Sequence, residues 1–340
     1  MIPTKPGQRT LLCILDWGLG HASRSLALAA ALEDAGESTF FASSGRARKF
    51  LEAERPGIVV HELPPYAVTY PTRSMPLNVA WQFPRWVRTI WRERRCCEEI
   101  VAELGIDRIV SDNRFGCYVP GVPSVFLTHQ LHPITGNAVV SWGYRRYLQR
   151  FDAFWVPDHP KVRKRVSGKL SAERGYREVI FIGPLSRLPE SDAAQIPDTS
   201  TEPFTPVILA LLSGPEPMRT RLEEVILRQL SGLPGRHVLV RGLPGSAAPL
   251  PDVAGNITVH DFADAGLLTR LLPAARHIVC RSGYSTLMDV YAVTEGKNLL
   301  LVPTPGQTEQ VYLAHREAAR NGCRAISDQE KLDLSALIAG

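Results

Sequence analysis

Short, almost wholly apolar runs that end in small polar residues and pass straight into a helical pattern recur along this chain. They constrain its fold more than any other feature. Residues 277–280 (His-Ile-Val-Cys) are one such run. Ser282 and Gly283 then turn the chain, Ser285 and Thr286 open a helix, and Asp289 lies about one turn further on. Gly296 reads as the C-cap of that helix, 298–302 as the next buried strand, and 307–320 as another helix beyond Pro303 and Pro305. The N-terminal part repeats the pattern: strand 10–16, an Ala/Leu-rich helix over 22–36, strand 38–42, a basic helix over 46–54 and strand 58–61. Strands alternating with helices predict α/β architecture with doubly wound parallel sheets, and such sheets bind ligands at the C-terminal ends of their strands.

At 340 residues the chain is long for one domain and comfortable for two. Strands at 106–111, 124–127, 151–156 and 179–182 complete a first domain over 1–183. Residues 184–206 are polar and Pro-rich without periodicity, and read as a linker. A second domain follows over 207–340, with strands at 207–212, 237–241 and 257–260 and a last helix over 327–340. The net charge of +5 is uneven: residues 1–180 hold 25 Lys+Arg against 17 Asp+Glu, the remainder 14 against 17. A basic half suits an anionic substrate or lipid, and no nucleic-acid-binding motif accompanies it. No run of eighteen apolar residues and no signal-peptide core are present, so a cytoplasmic protein is expected. Cys13, Cys96, Cys97, Cys117, Cys280 and Cys323 are scattered without metal-ligand spacing and read as reduced core or incidental residues.

Several polar groups fall at strand ends. The helix opened by Ser282, Gly283, Tyr284, Ser285 and Thr286 presents backbone N–H groups, hydroxyls and a positive dipole end, a site for an anion such as a diphosphate. Asp289 could accept bonds from two ribose hydroxyls, and Glu309 and Gln310 could reach a sugar ring. Arg241, at the end of its strand, is a further diphosphate partner. In the first domain, Gly18 and Gly20 flank a turn that exposes His21, and Asp112 and His129 end two more strands. His21, Asp112 and His129 are therefore the candidates for a base that takes a proton from a hydroxyl. Each has a structural alternative, with Asp112 pairing Arg114. Residues 81–95 mix aromatics and arginines; Phe83, Trp86, Ile90 and Trp91 could share one helix face. Either this is a core helix with a solvated basic face, or Trp81, Trp86, Trp91 and the neighbouring arginines touch a membrane surface or a lipid-diphosphate acceptor.

The ordered set Arg281-Ser282-Gly283, Thr286, Asp289, Pro303-x-Pro305 and Glu309-Gln310 resembles the donor-binding half of GT-B glycosyltransferases. It is most like the enzyme that adds N-acetylglucosamine to the lipid-linked peptidoglycan precursor. The resemblance covers roughly the last third of the chain and departs from the family at Glu309, where the family has Gln, and at Asp289, where it has Glu. It implies that Asp289 holds the ribose, Glu309 and Gln310 the donor sugar, Ser213 and Gly214 the phosphates, and that Phe262 meets the nucleotide base. The segment Gly18-Leu-Gly20-His21-Ala-Ser-Arg24-Ser resembles the opening of GT-B sugar-nucleotide enzymes, including a branch that hydrolyses its sugar nucleotide and in which the matching His is catalytic. In the transferases the matching glycine loop approaches diphosphate and acceptor, and a His-led polar motif stands where His129 does.

Together these readings predict two Rossmann-like domains facing a cleft, the GT-B arrangement. The expected reaction transfers a sugar, with inversion, from a nucleoside-diphosphate sugar, UDP first, to an acceptor hydroxyl. No Asp-x-Asp motif occurs, so no metal or other cofactor is expected, and Arg281 or Arg241 would meet the leaving charge. The acceptor is expected to be anionic or lipid-linked, with peripheral contact at the inner membrane face. Two alternatives remain open: a sugar-nucleotide hydrolase using His21, and a catalytically silent nucleotide-sugar-binding subunit.

Overall fold

The computed structural model describes residues 2–17, 19–66, 75–134, 137–188, 205–246, 249–296 and 298–338, and only the backbone at 75–81 and 83. Gly18, the Trp81 side chain and most of the expected linker lie outside the described residues. The chain forms two compact units, Met1–Leu185 and Ser186–Gly340.

The first unit runs β1 (Arg9–Ile14), α1 (Gly20–Asp34), β2 (Ser38–Ser43), α2 (Gly45–Glu54), β3 (Val60–Glu62), α3 (Met75–Leu104), β4 (Arg108–Asp112), β5 (Ser124–Leu127), α4 (Ala138–Leu148), β6 (Ala153–Val156) and β7 (Val179–Phe181). Its sheet has the order β3-β2-β1-β4-β5-β6-β7, with parallel pairing throughout. β4, β5 and β6 are buried along their whole length, while the edge strands β3 and β7 have three residues each and are half-buried. A parallel sheet covered on both faces requires that pattern, and short edges limit unwanted pairing. α1 lays Leu28, Ala29 and Leu32, all fully buried, on the sheet; each leucine contributes roughly 1.5–3 kcal/mol of burial. At its N-terminal end the same buried stripe turns polar, with Arg24 and Ser25.

The second unit runs β8 (Ile208–Leu211), α5 (Met218–Leu230), β9 (His237–Val240), β10 (Ile257–His260), α6 (Ala265–Ala274), β11 (His277–Cys280), α7 (Tyr284–Val293), β12 (Leu299–Leu301), α8 (Thr308–Asn321), β13 (Arg324–Ala325) and α9 (Ser335–Ile338). Its sheet order is β10-β9-β8-β11-β12-β13, again parallel. Ile208, Ala210, Leu222, Ile226 and Leu230 anchor its core.

Three local expectations are corrected. α7 ends at Val293, and Gly296 sits beyond it at φ 69°, where an added Cβ would lie 2.3 Å from Tyr291 Cε1. The tail carries one 3-10 turn (Gln329–Lys331) and the four-residue α9 in place of one helix. In α3, Trp86 and Trp91 do not share a face: Trp86 meets Trp17 edge-on at 5.8 Å, whereas Trp91 is 63% exposed with the Arg95 guanidinium 4.6 Å over its ring. Five residues at 3.6 per turn place the two indoles well apart around the helix. Its buried face is instead Gln82, Thr89, Glu93, Cys97 and Ile100.

α3 is held by the turn after β4. An added Cβ at Gly116 would fall 2.3 Å from the Ile90 carbonyl oxygen and 2.6 Å from Glu93 Cβ. Gly116→Ala is therefore expected to destabilise the protein by roughly 1–3 kcal/mol through overpacking, seen as a lower urea midpoint at unchanged slope. An unchanged midpoint would show that α3 does not rest on this turn.

Candidate functional site

In each unit the strand order reverses between two neighbours, β1 and β4 in the first, β8 and β11 in the second. The loops that leave such a pair diverge to opposite faces and open a crevice beyond the strand ends. Both polar clusters of this protein sit there.

In the first unit, Ile14 and Asp112 are register partners at the ends of β1 and β4. α1 starts after the glycine turn, so His21 is its second residue. His21 Nδ1 lies 2.8 Å from Asp112 Oδ1. Arg24, one turn along α1 and only 2% exposed, donates from Nε to Asp112 Oδ2 at 2.8 Å and from Nη2 to Oδ1. Its Nη1 lies 2.9 Å from His129 Nδ1, and Ser25 Oγ donates to Asp112 Oδ2 at 3.1 Å. The structure thus gathers His21, Asp112 and His129 around Arg24. The alternative pairing of Asp112 with Arg114 is corrected: Asn113, left-handed at φ 55°, separates the two, and Arg114 meets Glu93 at 2.8 Å.

The electrostatics follow from these contacts. Burial favours a protonated Asp112, but Arg24 and His21 more than offset it and hold the carboxyl well below the usual range. Burial lowers the pKa of His21, Asp112 raises it and Arg24 lowers it again, leaving the net shift downward. Arg24 Nη2 also lies 2.9 Å from His21 Nδ1. A guanidinium only donates, so this second contact is a hydrogen bond only when Nδ1 carries no proton. With Nδ1–H on Asp112, the lone pair of His21 is on Nε2, the tautomer a general base needs. His129, accepting from Arg24 through Nδ1, carries its proton on Nε2 when neutral.

In the second unit, β8 delivers Ser213 and Gly214, and β11 delivers Arg281, Ser282 and Gly283 to the start of α7. Gly283 is the N-cap of α7 and offers no capping side chain; Tyr284 is buried, Ser285 and Thr286 half-buried. Ser282 Oγ donates to the Gln310 carbonyl at 2.8 Å, Thr304 N to Gln310 Oε1 at 2.8 Å, and Gln310 Nε2 to Gln307 Oε1 at 2.6 Å. The Gln310 amide, read from sequence as a sugar ligand, thus braces these loops, while Glu309 stands half-buried at the α8 N-terminus.

Arg281 and Arg241 are also spoken for. Arg281 is fully buried; Nη1 donates to the Val302 and Pro303 carbonyls at 3.2 and 3.1 Å, and Nη2 to the Met218 carbonyl and Gln329 Oε1 at 2.8 Å each. Burial lowers its pKa to about 10. Among the described residues, its Nε and the Thr304 hydroxyl are buried without hydrogen-bond partners. They lie 4.0 and 3.3 Å from where a Cβ on Gly214 would stand, and Gly214 itself takes φ 100°. Two orphaned polar groups beneath a glycine loop are costly unless something polar comes to them. Arg241 is tied to Glu223 at 2.7 Å and Asp261 at 2.6 Å.

Asp289 accepts from Ser186 Oγ at 2.7 Å and lies 3.8 Å from Arg187 Nε. Arg187 also stands 5.7 Å over the Phe262 ring, so it bridges two residues that the sequence reading assigned to one nucleoside. Arg24, Thr304, Ser186 and Arg187 were missed from the sequence. Arg24 had a signal, three residues after His21 on one helix face; the other three had none.

Two parallel α/β units with polar clusters at their reversals are the fold of the GT-B glycosyltransferases. Among solved structures, the chain is similar to the spinosyn rhamnosyltransferase SpnG complexed with thymidine diphosphate (15% identity, TM-score 0.65, covering 98% of this chain and 92% of that one). It is also similar to the glycosyltransferase SnogD from Streptomyces nogalater (16%, 0.61, 96% and 88%) and to the glycotransferase of kitacinnamycin (17%, 0.62, 98% and 89%). The sequence matches no protein-family model and no curated protein.

Proposed function

We propose that this protein is a glycosyltransferase that moves a sugar from a nucleoside-diphosphate sugar to an acceptor hydroxyl. The observation that carries the reading is the His21–Asp112 pair, a buried acid 2.8 Å from an imidazole at a sheet reversal, in a GT-B fold. In this reading His21 Nε2 takes the acceptor proton, and the acceptor oxygen forms its bond to the anomeric carbon. The bond from that carbon to the diphosphate oxygen breaks, inverting the centre, and the diphosphate leaves with the bonding pair. Asp112 steadies the imidazolium, and Arg24 positions Asp112 and His129.

The second unit binds the donor. The α7 N-terminus at Gly283, with Ser285 and Thr286, faces the diphosphate, and Gly214 lets a phosphate approach Thr304 and Arg281 Nε. Backbone dipoles and that buried cation receive the leaving charge without a metal. Asp289 exchanges Ser186 for the ribose. A uridine or thymidine diphosphate suits the reading, the latter because SpnG is known with it. The exposed Trp91 and Arg95 support an acceptor that is anionic or lipid-linked; among the described residues no helix is long and apolar enough to cross a membrane.

The test follows release of nucleoside diphosphate from UDP-, dTDP- and GDP-sugars, with and without acceptor hydroxyl compounds and with EDTA present. The reading expects one nucleotide to bind, binding to weaken about 10-fold or more in Asp289→Ala, in line with a lost charge-assisted bond of about 1.5–3 kcal/mol, and turnover to need an acceptor. Rapid release in water alone, abolished by His21→Ala, would assign the hydrolase instead. Failure to bind any nucleotide would overturn the reading.

A further inference from the structure

Cys13, Cys97 and Cys117 are distant in sequence, yet their sulfurs all lie within 4.8 Å of one another. One comes from β1, one from α3 and one from the turn that follows β4. All three are fully buried, among Leu11, Ala42, Leu63, Ile100 and Ile109. A single buried cysteine packs like any small apolar residue. Three that converge from three separate elements make a donor set, because every sulfur faces the other two.

The surroundings decide what such a set can hold. The neighbouring carboxylate, Glu93, has both oxygens engaged: Oε1 accepts from Arg114 at 2.8 Å, Oε2 from Tyr66 at 2.8 Å and from the Gly116 amide at 2.9 Å. Among the described residues the set is therefore all sulfur and three in number. Hard cations take oxygen ligands. Zinc completes a tetrahedron and would lack its fourth ligand. Soft thiolates in low number select monovalent copper. With metal–sulfur bonds of about 2.3 Å, three sulfurs around one ion stand about 4 Å apart, inside the 4.8 Å within which these three lie.

We propose that Cys13, Cys97 and Cys117 form a three-sulfur site for a soft monovalent cation of the Cu(I) class. Binding forms sulfur–metal bonds and releases the protons of the ligating thiols to solvent, with no change of oxidation state. The ion would tie β1, which leads into the turn before His21, to α3 and to the turn that follows Asp112 at the end of β4.

The experiment uses the full chain, fully reduced and without oxygen. Cu(I) is presented by a chromophoric chelator that competes for it, to the native protein and to protein refolded in its presence. One Cu(I) per chain is expected in at least one arm, with thiolate-to-copper absorption in the near ultraviolet and X-ray absorption showing only sulfur neighbours. Affinity should fall more than about 100-fold in Cys97→Ala and Cys13→Ala, beyond what outer-shell changes produce, and should stand unchanged in Cys96→Ala and Cys323→Ala. No uptake in either arm, equal uptake by the cluster variants, or oxygen or nitrogen neighbours around the metal would overturn the proposal. Should a cluster variant fail to fold, the neighbours seen in the wild-type protein decide alone.

Discussion

His21→Ala is expected to lower kcat by about 10²–10⁴-fold, the usual range for loss of a positioned general base, while nucleotide affinity changes little. The two effects separate because His21 belongs to the first unit and the groups assigned to the nucleotide to the second. Asp112→Asn should cost a comparable factor. An amide can accept from Arg24, but it carries no charge to steady the imidazolium and can present its NH₂ to Nδ1, favouring the wrong tautomer. The pH profile gives an independent reading. A base works when neutral, and burial together with Arg24 holds His21 below the ordinary imidazole pKa. Activity should therefore persist into mildly acid solution and fall only below the usual imidazole range. Arg24→Gln removes one lowering influence, so the acid limb should move to higher pH. An Arg24→Gln enzyme that loses activity with its acid limb unmoved would show that Arg24 serves structure alone.

Glu93→Ala is expected to be the most destabilising single change outside the site, by about 3–5 kcal/mol. Glu93 and Arg114 are both fully buried, and Arg114 also donates to the Ile14 carbonyl at 2.7 Å, the Pro64 carbonyl at 2.9 Å and Ser44 Oγ at 2.7 Å. Truncating the acid leaves a cation in the core held by two carbonyls and the Ser44 hydroxyl, with Asp16, 3.6 Å away, as the nearest remaining negative charge. Urea unfolding of Glu93→Ala, of Arg114→Met and of an apolar double variant, Glu93→Leu with Arg114→Met, tests the cause. The double variant should recover much of the loss, since a buried pair replaced by apolar groups is often neutral. A double variant as unstable as the sum of the singles would show that the two side chains act separately.

The sheets were legible because a buried parallel strand is a short apolar run. The strands Ser124–Leu127, Ile257–His260 and His277–Cys280 can be read to the residue, and the polar residues just beyond such runs point to a site. What local pattern does not carry is pairing. Arg24 looks like the solvated face of a helix until β4 sets Asp112 beside it. The cysteines show no ligand spacing because their meeting depends on how β1, α3 and the turn after β4 pack together. Ser186 and Arg187 hide in a Pro-rich stretch whose composition reads as linker. The tail reads as one helix, yet Leu332 and Leu334 are buried in extended segments between two short turns.

Arg281 differs in one respect from the other two fully buried arginines. Arg24 has Asp112 and Arg114 has Glu93, but among the described residues Arg281 is held by carbonyls and one amide, with no acid. A charge enclosed in this way raises the free energy of the folded unit until an anion supplies the missing sign. If the proposed function holds, that anion is the diphosphate of the donor, and the rigidity of the second unit and its ligand occupancy would be one equilibrium.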